Sequence, residues 1–122
     1  MRILVVDDEE DVRDLFSQRF RKEVKRGELM IDFAHSGEDA LNLLGQEERP
    51  DYVLILSDIN MPGMSGLDLL RQIKSMDSAQ DVLMVTAYGD ENNYRQAVEF
   101  GANGFLTKPV DFKEIRKQIF KS

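Results

Sequence analysis

Ile3-Leu4-Val5-Val6-Asp7-Asp8 opens the chain with four apolar residues that stop on two carboxylates. The run is far too short to span a membrane and too soon acidic for a secretion signal. Its length suits a strand buried in a sheet. Further short apolar runs follow at Met30–Ala34, Tyr52–Ser57, Val82–Thr86 and Gly104–Leu106. Between them the period changes. Val12, Leu15, Phe16, Phe20 and Val24 recur at helical spacing, and Ala40, Leu41 and Leu44 mark a short second helix. Leu67, Leu70 and Ile73 mark a third, Tyr94, Ala97 and Val98 a fourth, and Phe112, Ile115 and Ile119 a fifth. Ser36 with Asp39, and Ser65 with Asp68, have the spacing of N-terminal caps for the second and third helices. Gly27, Gly45 and Gly101 stand where helices should stop, since glycine takes the left-handed conformation without a Cβ penalty. Five strands alternating with five helices predict an α/β fold. Right-handed crossovers make it a (βα)₅ doubly wound parallel sheet, one domain over residues 1–122.

Composition bounds the partners. The 122 residues are 42% hydrophobic and 32% charged, as in an ordinary globular domain with one core. No cysteine is present, which excludes disulfides and thiolate metal sites. A formal net charge of −7 argues against nucleic acid as a direct partner, because phosphate binding needs a basic surface. No apolar run implies a membrane, and a cytoplasmic location is expected. Acidic residues cluster at Asp7–Asp11, while Arg19, Arg21, Lys22, Lys25 and Arg26 form a basic cluster soon after. His35, the single histidine, is a poor metal ligand on its own, and the six methionines suit core gaps.

In a doubly wound sheet the ligand site lies at the carboxyl ends of the strands. Here those ends carry Asp7-Asp8, Asp58, Thr86 and Lys108-Pro109. A single acidic pair after a strand is ordinarily a helix N-terminal charge. Three carboxylates brought together repel one another unless a cation offsets them. The donor set fits Mg²⁺, which takes oxygen ligands and is commonly held by one or two carboxylates plus a phosphate. Asp8 and Asp58 are the expected ligands, with Asp7 supporting. A carboxylate also serves as a nucleophile toward phosphorus. Lys108 would neutralise developing charge, and the Thr86 hydroxyl would donate to a phosphoryl oxygen.

Four segments together resemble the receiver domain of response regulators, over the whole chain. They are Ile3–Glu9, Ser57–Gly66, Val85-Thr86-Ala87 and Gly101–Pro109. The resemblance implies a flavodoxin-like fold, Asp58 as phosphoacceptor, and a metal site of Asp7, Asp8, Asp58 and the backbone carbonyl of Asn60. It further implies a cis Lys108–Pro109 bond, a histidine kinase or histidine phosphotransfer protein as donor, and a downstream effector protein or domain. Such a domain is a phosphorylation switch that catalyses only its own phosphorylation and dephosphorylation. Thr86 and Phe105 match the residues that relay phosphorylation to the face of the fourth helix, fifth strand and fifth helix. Asn60 and Tyr88 match the positions that tune phosphoryl lifetime, with Tyr88 expected to cover the site. The chain departs from the pattern in a longer stretch between Asp8 and Asp58, at the basic segment Arg21–Glu28 and a lengthened third strand.

Phe16 and Phe20 with Arg13, Arg19, Lys22 and Lys25 offer apolar and basic groups on the first helix. Lys113, Arg116, Lys117 and Lys121 do so on the last. Either these are solvated faces or they dock an acidic partner. Two alternatives stay open: a receiver module of a longer protein whose effector lies outside these residues, and a Mg²⁺-dependent phosphohydrolase. The latter should carry a general acid two residues after its nucleophile, where this chain has Asn60.

Overall fold

In a computed structural model, which describes residues 1–87 and 90–121, the chain forms one five-stranded parallel sheet with helices on both faces. The strands are β1 Arg2–Val6, β2 Met30–Ala34, β3 Leu54–Asp58, β4 Val82–Thr86 and β5 Gly104–Thr107. The helices are α1 Glu10–Arg19, α2 Arg21–Lys25, α3 Gly37–Leu44, α4 Gly66–Met76, α5 Glu91–Glu99 and α6 Phe112–Ile119. Strand order is β2-β1-β3-β4-β5, so the connection after β1 runs outward to one edge and later ones proceed to the other. The switch in direction falls between β1 and β3, where doubly wound sheets bind ligands. Registers Val6↔Ser57 and Asp58↔Val85 align the carboxyl ends of β1, β3 and β4.

Every residue of β3 and β4 is buried, which is why these strands read as unbroken apolar runs. One face of the sheet, with Leu4, Val6, Ile55 and Met84, packs against Leu44, Leu67, Leu70, Ile73 and Ala97 from α3, α4 and α5. The opposite face, with Ile3, Val5, Leu56 and Leu83, packs against Phe16, Phe20, Leu29, Ile115 and Ile119. The two cap expectations hold. Ser36 Oγ accepts from the Asp39 amide at 3.0 Å, and Ser65 Oγ from the Asp68 amide at 3.2 Å.

Three local expectations change. The first helix does not run through Val24 but ends at Arg19, and Arg21–Lys25 forms a separate short helix. The joint is Phe20, fully buried, which stands 5.9 Å from the ring of Phe112 in α6. Arg116 of α6 fastens it, donating to the Arg19 carbonyl at 2.6 Å and to Glu23 Oε2 at 2.8 Å, with its guanidinium 4.7 Å from the Phe20 ring centroid. Helical spacing therefore holds within each half, and the bend brings Phe20 into the core.

The third strand, expected over Tyr52–Ser57, begins instead at Leu54 and ends on Asp58. Tyr52 is held by its side chain: its hydroxyl donates to Asp32 Oδ2 at 2.6 Å, and Arg2 grips the same carboxylate through Nε at 2.9 Å and Nη2 at 3.1 Å. Gly45 does end α3, but at φ −83° and not in the left-handed region. An added Cβ there would lie 3.1 Å from the Leu41 carbonyl oxygen, a tight contact, while the backbone conformation itself is one that any residue adopts.

Phe20→Ala removes a fully buried ring from the α1–α2 joint. The expected loss is about 3–5 kcal/mol of unfolding free energy, read as a lower urea midpoint with an unchanged m-value.

Candidate functional site

The strand ends bring together what the sequence placed there. Asp7 and Asp8 follow β1, Asp58 is the last residue of β3, Thr86 the last of β4, and Lys108 follows β5. Asp7, Asp8 and Asp58 each offer a carboxylate oxygen within 4.8 Å of the others. Burial grades across the cluster: Asp58 is 4% exposed, Asp7 half-buried and Asp8 exposed, so the site opens to solvent on the Asp8 side.

Lys108 reaches in from the opposite side. Its Nζ donates to Asp58 Oδ2 at 2.8 Å and lies 4.0 Å from Asp7 Oδ2. The other Asp58 oxygen, Oδ1, accepts from the Asn60 amide at 3.2 Å. Asp7 is fixed by the Glu9 amide, which donates to its Oδ1 at 2.9 Å, and its own amide donates to the Ala34 carbonyl at 3.0 Å. Thr86 is buried, and its hydroxyl makes a 3.4 Å contact with the Ala87 carbonyl, long enough to be surrendered to a better acceptor. The Lys108 amide donates to the Thr86 carbonyl at 2.9 Å, and the Lys108–Pro109 bond is cis as the resemblance implies.

Electrostatics follow from this packing. Burial pushes the Asp7 carboxyl above its ordinary value; the Glu9 amide opposes the shift and the nearby Asp58 charge reinforces it. Burial works against the charge on Lys108, but the hydrogen bond to Asp58 and the charges of Asp58, Asp7 and Glu9 hold its ammonium above the usual range. One cation thus faces three carboxylates. A divalent ion fits the remaining charge, and an all-oxygen donor set suits Mg²⁺.

The site also uses residues that sequence reasoning missed. Gly66, at the start of α4, lies so close behind Asp58 that an added Cβ would sit 2.0 Å from the Asp58 carbonyl oxygen. The Gly66 amide donates to the Ile59 carbonyl at 2.8 Å, closing the loop after β3. A glycine at a capped helix start, three residues beyond Gly63, was the available signal. Tyr94 and Phe105 form a pair with ring centroids 4.4 Å apart, a contact that the helical spacing of Tyr94 does not disclose. Tyr88 lies outside the described residues. His35 is exposed and 3.6 Å from Asp39 Oδ2, and it borders a pocket that Asp7 and Asp8 also line.

The class that this fold and edge define is an α/β domain with an acidic ligand site at its strand ends, and comparison with known proteins gives the family. The family model described as the response regulator receiver domain matches residues 3–120. The chain belongs to that family, and so to two-component signalling.

Sporulation initiation phosphotransferase F of Bacillus subtilis is 37% identical over 120 residues, covering 98% of this chain and 91% of that one. Response regulator protein PilR of Pseudomonas aeruginosa is also 37% identical over 120 residues, covering 97% of this chain but only 25% of its own length. Among solved structures, the response regulator TrrA of Thermotoga maritima, crystallised in complex with Mg²⁺-BeF, is 31% identical with a TM-score of 0.80, over 98% of this chain and 96% of that one.

Asp7→Asn keeps an acceptor for the Glu9 amide and removes one charge from the cluster. The wild-type Asp7 pKa is raised, so the cost of its charge is present above that raised value. It fades as pH falls through it and is gone below the ordinary Asp value of about 3.9. In chelator at pH 7 the variant should therefore have the higher urea midpoint, and the two proteins should converge as pH is lowered toward about 4.

Proposed function

We propose that Asp58 accepts a phosphoryl group from a phosphohistidine donor in the presence of Mg²⁺, and that the chain is a switch in a two-component or phosphorelay pathway. The observation that carries this reading is the Lys108–Asp58 contact within a triad of carboxylates, 2.8 Å long and part-buried. It leaves a nucleophilic carboxylate and a fixed cation side by side at the ligand edge of the sheet.

Asp7, Asp8, Asp58 and the Asn60 backbone carbonyl would hold the ion. Bound there, Mg²⁺ supplies positive charge that offsets both the clustered carboxylates and the phosphoryl oxygens. The chain's own part is positioning and neutralisation. A carboxylate oxygen of Asp58 attacks phosphorus; the P–O bond forms as the P–N bond to the donor imidazole breaks, and the electron pair leaves with the imidazole, which departs neutral because its other ring nitrogen already carries a proton. Lys108 pairs with the negative charge carried by the transferred oxygens. The Thr86 hydroxyl, weakly held by Ala87, turns to donate to one of them. No acid or base is required of the chain in this step, in keeping with a switch that acts only on itself.

A groove beside Asp58 suits the donor. It is lined by Val12, Leu15, Phe16, Arg19, Val110 and Phe112. This refines the docking face expected from the sequence: Phe16 and Phe20 are buried, Arg116 is engaged with α1 and α2, and the exposed apolar group on α1 is Leu15. Arg19, with its guanidinium 5.3 Å from the Phe112 ring, borders the groove with positive charge. An apolar helix carrying a histidine, on a kinase or a phosphotransfer protein with acidic residues nearby, has the matching chemistry.

The relay would run from Thr86 to Phe105 and the face formed by α5, β5 and α6, as a population shift. An effector protein or domain would read that face; PilR's greater length supports the latter arrangement. The net charge of −7 argues against direct nucleic-acid contact. Among the described residues no helix is long and apolar enough to cross a membrane, and we place the domain in the cytoplasm.

Asp58→Asn should abolish labelling by acetyl phosphate and Mg²⁺, read by intact mass as loss of the single phosphoryl adduct, with melting behaviour close to wild type. Undiminished labelling would remove Asp58 from its role. Leu15→Asp should slow phosphotransfer from the cognate histidine kinase by about tenfold or more, the scale of a lost interface anchor, while leaving the acetyl-phosphate rate unchanged. Equal slowing of both would place Leu15 in the chemistry and not in docking.

A further inference from the structure

The loop that follows Asp58 is held at both ends by its own backbone. Ile59 N donates to the Val85 carbonyl at 3.0 Å, and Gly66 N to the Ile59 carbonyl at 2.8 Å. Between these ties run Asn60-Met61-Pro62-Gly63-Met64-Ser65, whose first residue carries the carbonyl proposed to hold the metal. Met61 anchors the start of the loop by burying its side chain in the core, and the residues after it are less enclosed. Pro62 and Gly63 are exposed, and Gly63 has φ +76°, a conformation that glycine adopts freely.

The middle is held from another element. Glu38, in the first turn of α3, accepts from the Met64 amide through Oε1 at 3.0 Å. Its carboxylate also lies over the Gly63 turn, where an added Cβ would meet Oε1 at 3.2 Å. Two further contacts hold Met64, one from α3 and one from α4. Met64 fills the space in front of Gly37, so that a Cβ there would stand 2.8 Å from the Met64 sulfur. Gln72 of α4 donates to that sulfur at 3.8 Å. Among the described residues, the Glu38 bond is the side-chain hydrogen bond from another element to a backbone amide between Met61 and Ser65; the Asn60 amide is separately tied to Asp58.

We propose that Glu38 is a positioning residue for the phosphoacceptor site: by latching Met64 to α3 it sets the loop that delivers the Asn60 carbonyl beside Asp58. This role rests on Asp58 being the phosphoacceptor. Residues that orient metal ligands act through such bonds, and losing one commonly weakens metal affinity by about 10–100-fold. Glu38 also lies at a helix N-terminus, where any negative charge is favourable, so the latch must be separated from simple charge. Reach separates them. Glu38→Gln keeps an amide oxygen at the same distance and loses the charge. Glu38→Asp keeps the charge and is one methylene short of Met64.

The experiment measures three quantities in wild type, Glu38→Gln, Glu38→Asp and Glu38→Ala. They are the hydrogen-exchange rate of the Met64 amide without metal, Mg²⁺ affinity by calorimetry, and the rate of acetyl-phosphate labelling. The latch predicts fast Met64 exchange and roughly tenfold weaker Mg²⁺ binding in the Asp and Ala variants, with slowed labelling at fixed Mg²⁺ and recovery in the Gln variant. If Asp behaves as wild type and Gln as Ala, charge and not reach is at work and the proposal is overturned. It is overturned as well if Met64 exchange rises in the Asp and Ala variants while Mg²⁺ affinity stays at the wild-type value. Wild type that neither binds Mg²⁺ nor accepts phosphate would instead overturn the phosphoacceptor reading and the metal-positioning role with it, whereas Met64 exchange would still report whether the bond itself exists.

Discussion

Like charges packed at one edge of a sheet are the constraint around which the strand ends are arranged. Asp7, Asp8 and Asp58 lie within 4.8 Å of one another through their oxygens, and Lys108 offsets part of their repulsion by reaching Asp58 from the far side. That contact spans from the loop after β5 to the end of β3, over the end of β4 that lies between them. It therefore ties the loop after the edge strand β5 to the central strand. Replacing Asp7 or Asp8 relaxes repulsion, replacing Asp58 relaxes it but also unpairs Lys108, and removing the lysine leaves it uncompensated. A cluster of this kind is expensive to maintain for stability alone. Its energetic logic is that of a binding site, where ligand affinity and ligand-free strain have the same electrostatic origin.

Much of this arrangement was legible in the sequence because it depends on period and punctuation. Buried parallel strands read as unbroken apolar runs, and the residues that end them are polar for want of any further strand to join. Asp58, Thr86 and Lys108 could thus be assigned to one edge before any contact was known. What the sequence concealed depends on contacts between distant residues. Helical spacing passes through Phe20 without interruption, yet Arg116, nearly a hundred residues away, takes the Arg19 carbonyl and fixes a bend. Tyr52 belongs to an apolar run by type but is drawn to Asp32 by its hydroxyl. Phe16 and Phe20 looked available for docking because one-dimensional patterning cannot say which of two apolar rows faces the sheet. Glu38 is the clearest case: a charged residue in a first helical turn reads as a dipole partner, and only the fold brings Met64 to it.

The two sides of the molecule are held to different degrees, and that difference bears on how a change at Asp58 could be felt elsewhere. Around α1, α2 and α6, three aromatic rings, Phe16, Phe20 and Phe112, pack within 6.0 Å of one another, with Arg116 over Phe20 and Arg19 over Phe112. The helix α5 is fastened far more lightly. Ala97 is its one buried residue, while Tyr94 and Val98 are 52% and 54% exposed. Its Tyr94 ring rests on Phe105, which is itself only partly buried on β5. Regions that move at low cost are those with little buried apolar contact. A shift of the Thr86 hydroxyl toward a phosphoryl group would open space at the end of β4, two residues beyond Met84, which pairs in register with Phe105. Phe105 has no hydroxyl to keep in water, so the cost of turning it inward lies in its stack with Tyr94. Since Tyr94 is half in solvent, that stack can be remade at a new angle without unpacking the core. In the switch proposed above, the tightly packed side would serve as the platform for the chemistry, and the light attachment of α5 would let α5 and β5 respond.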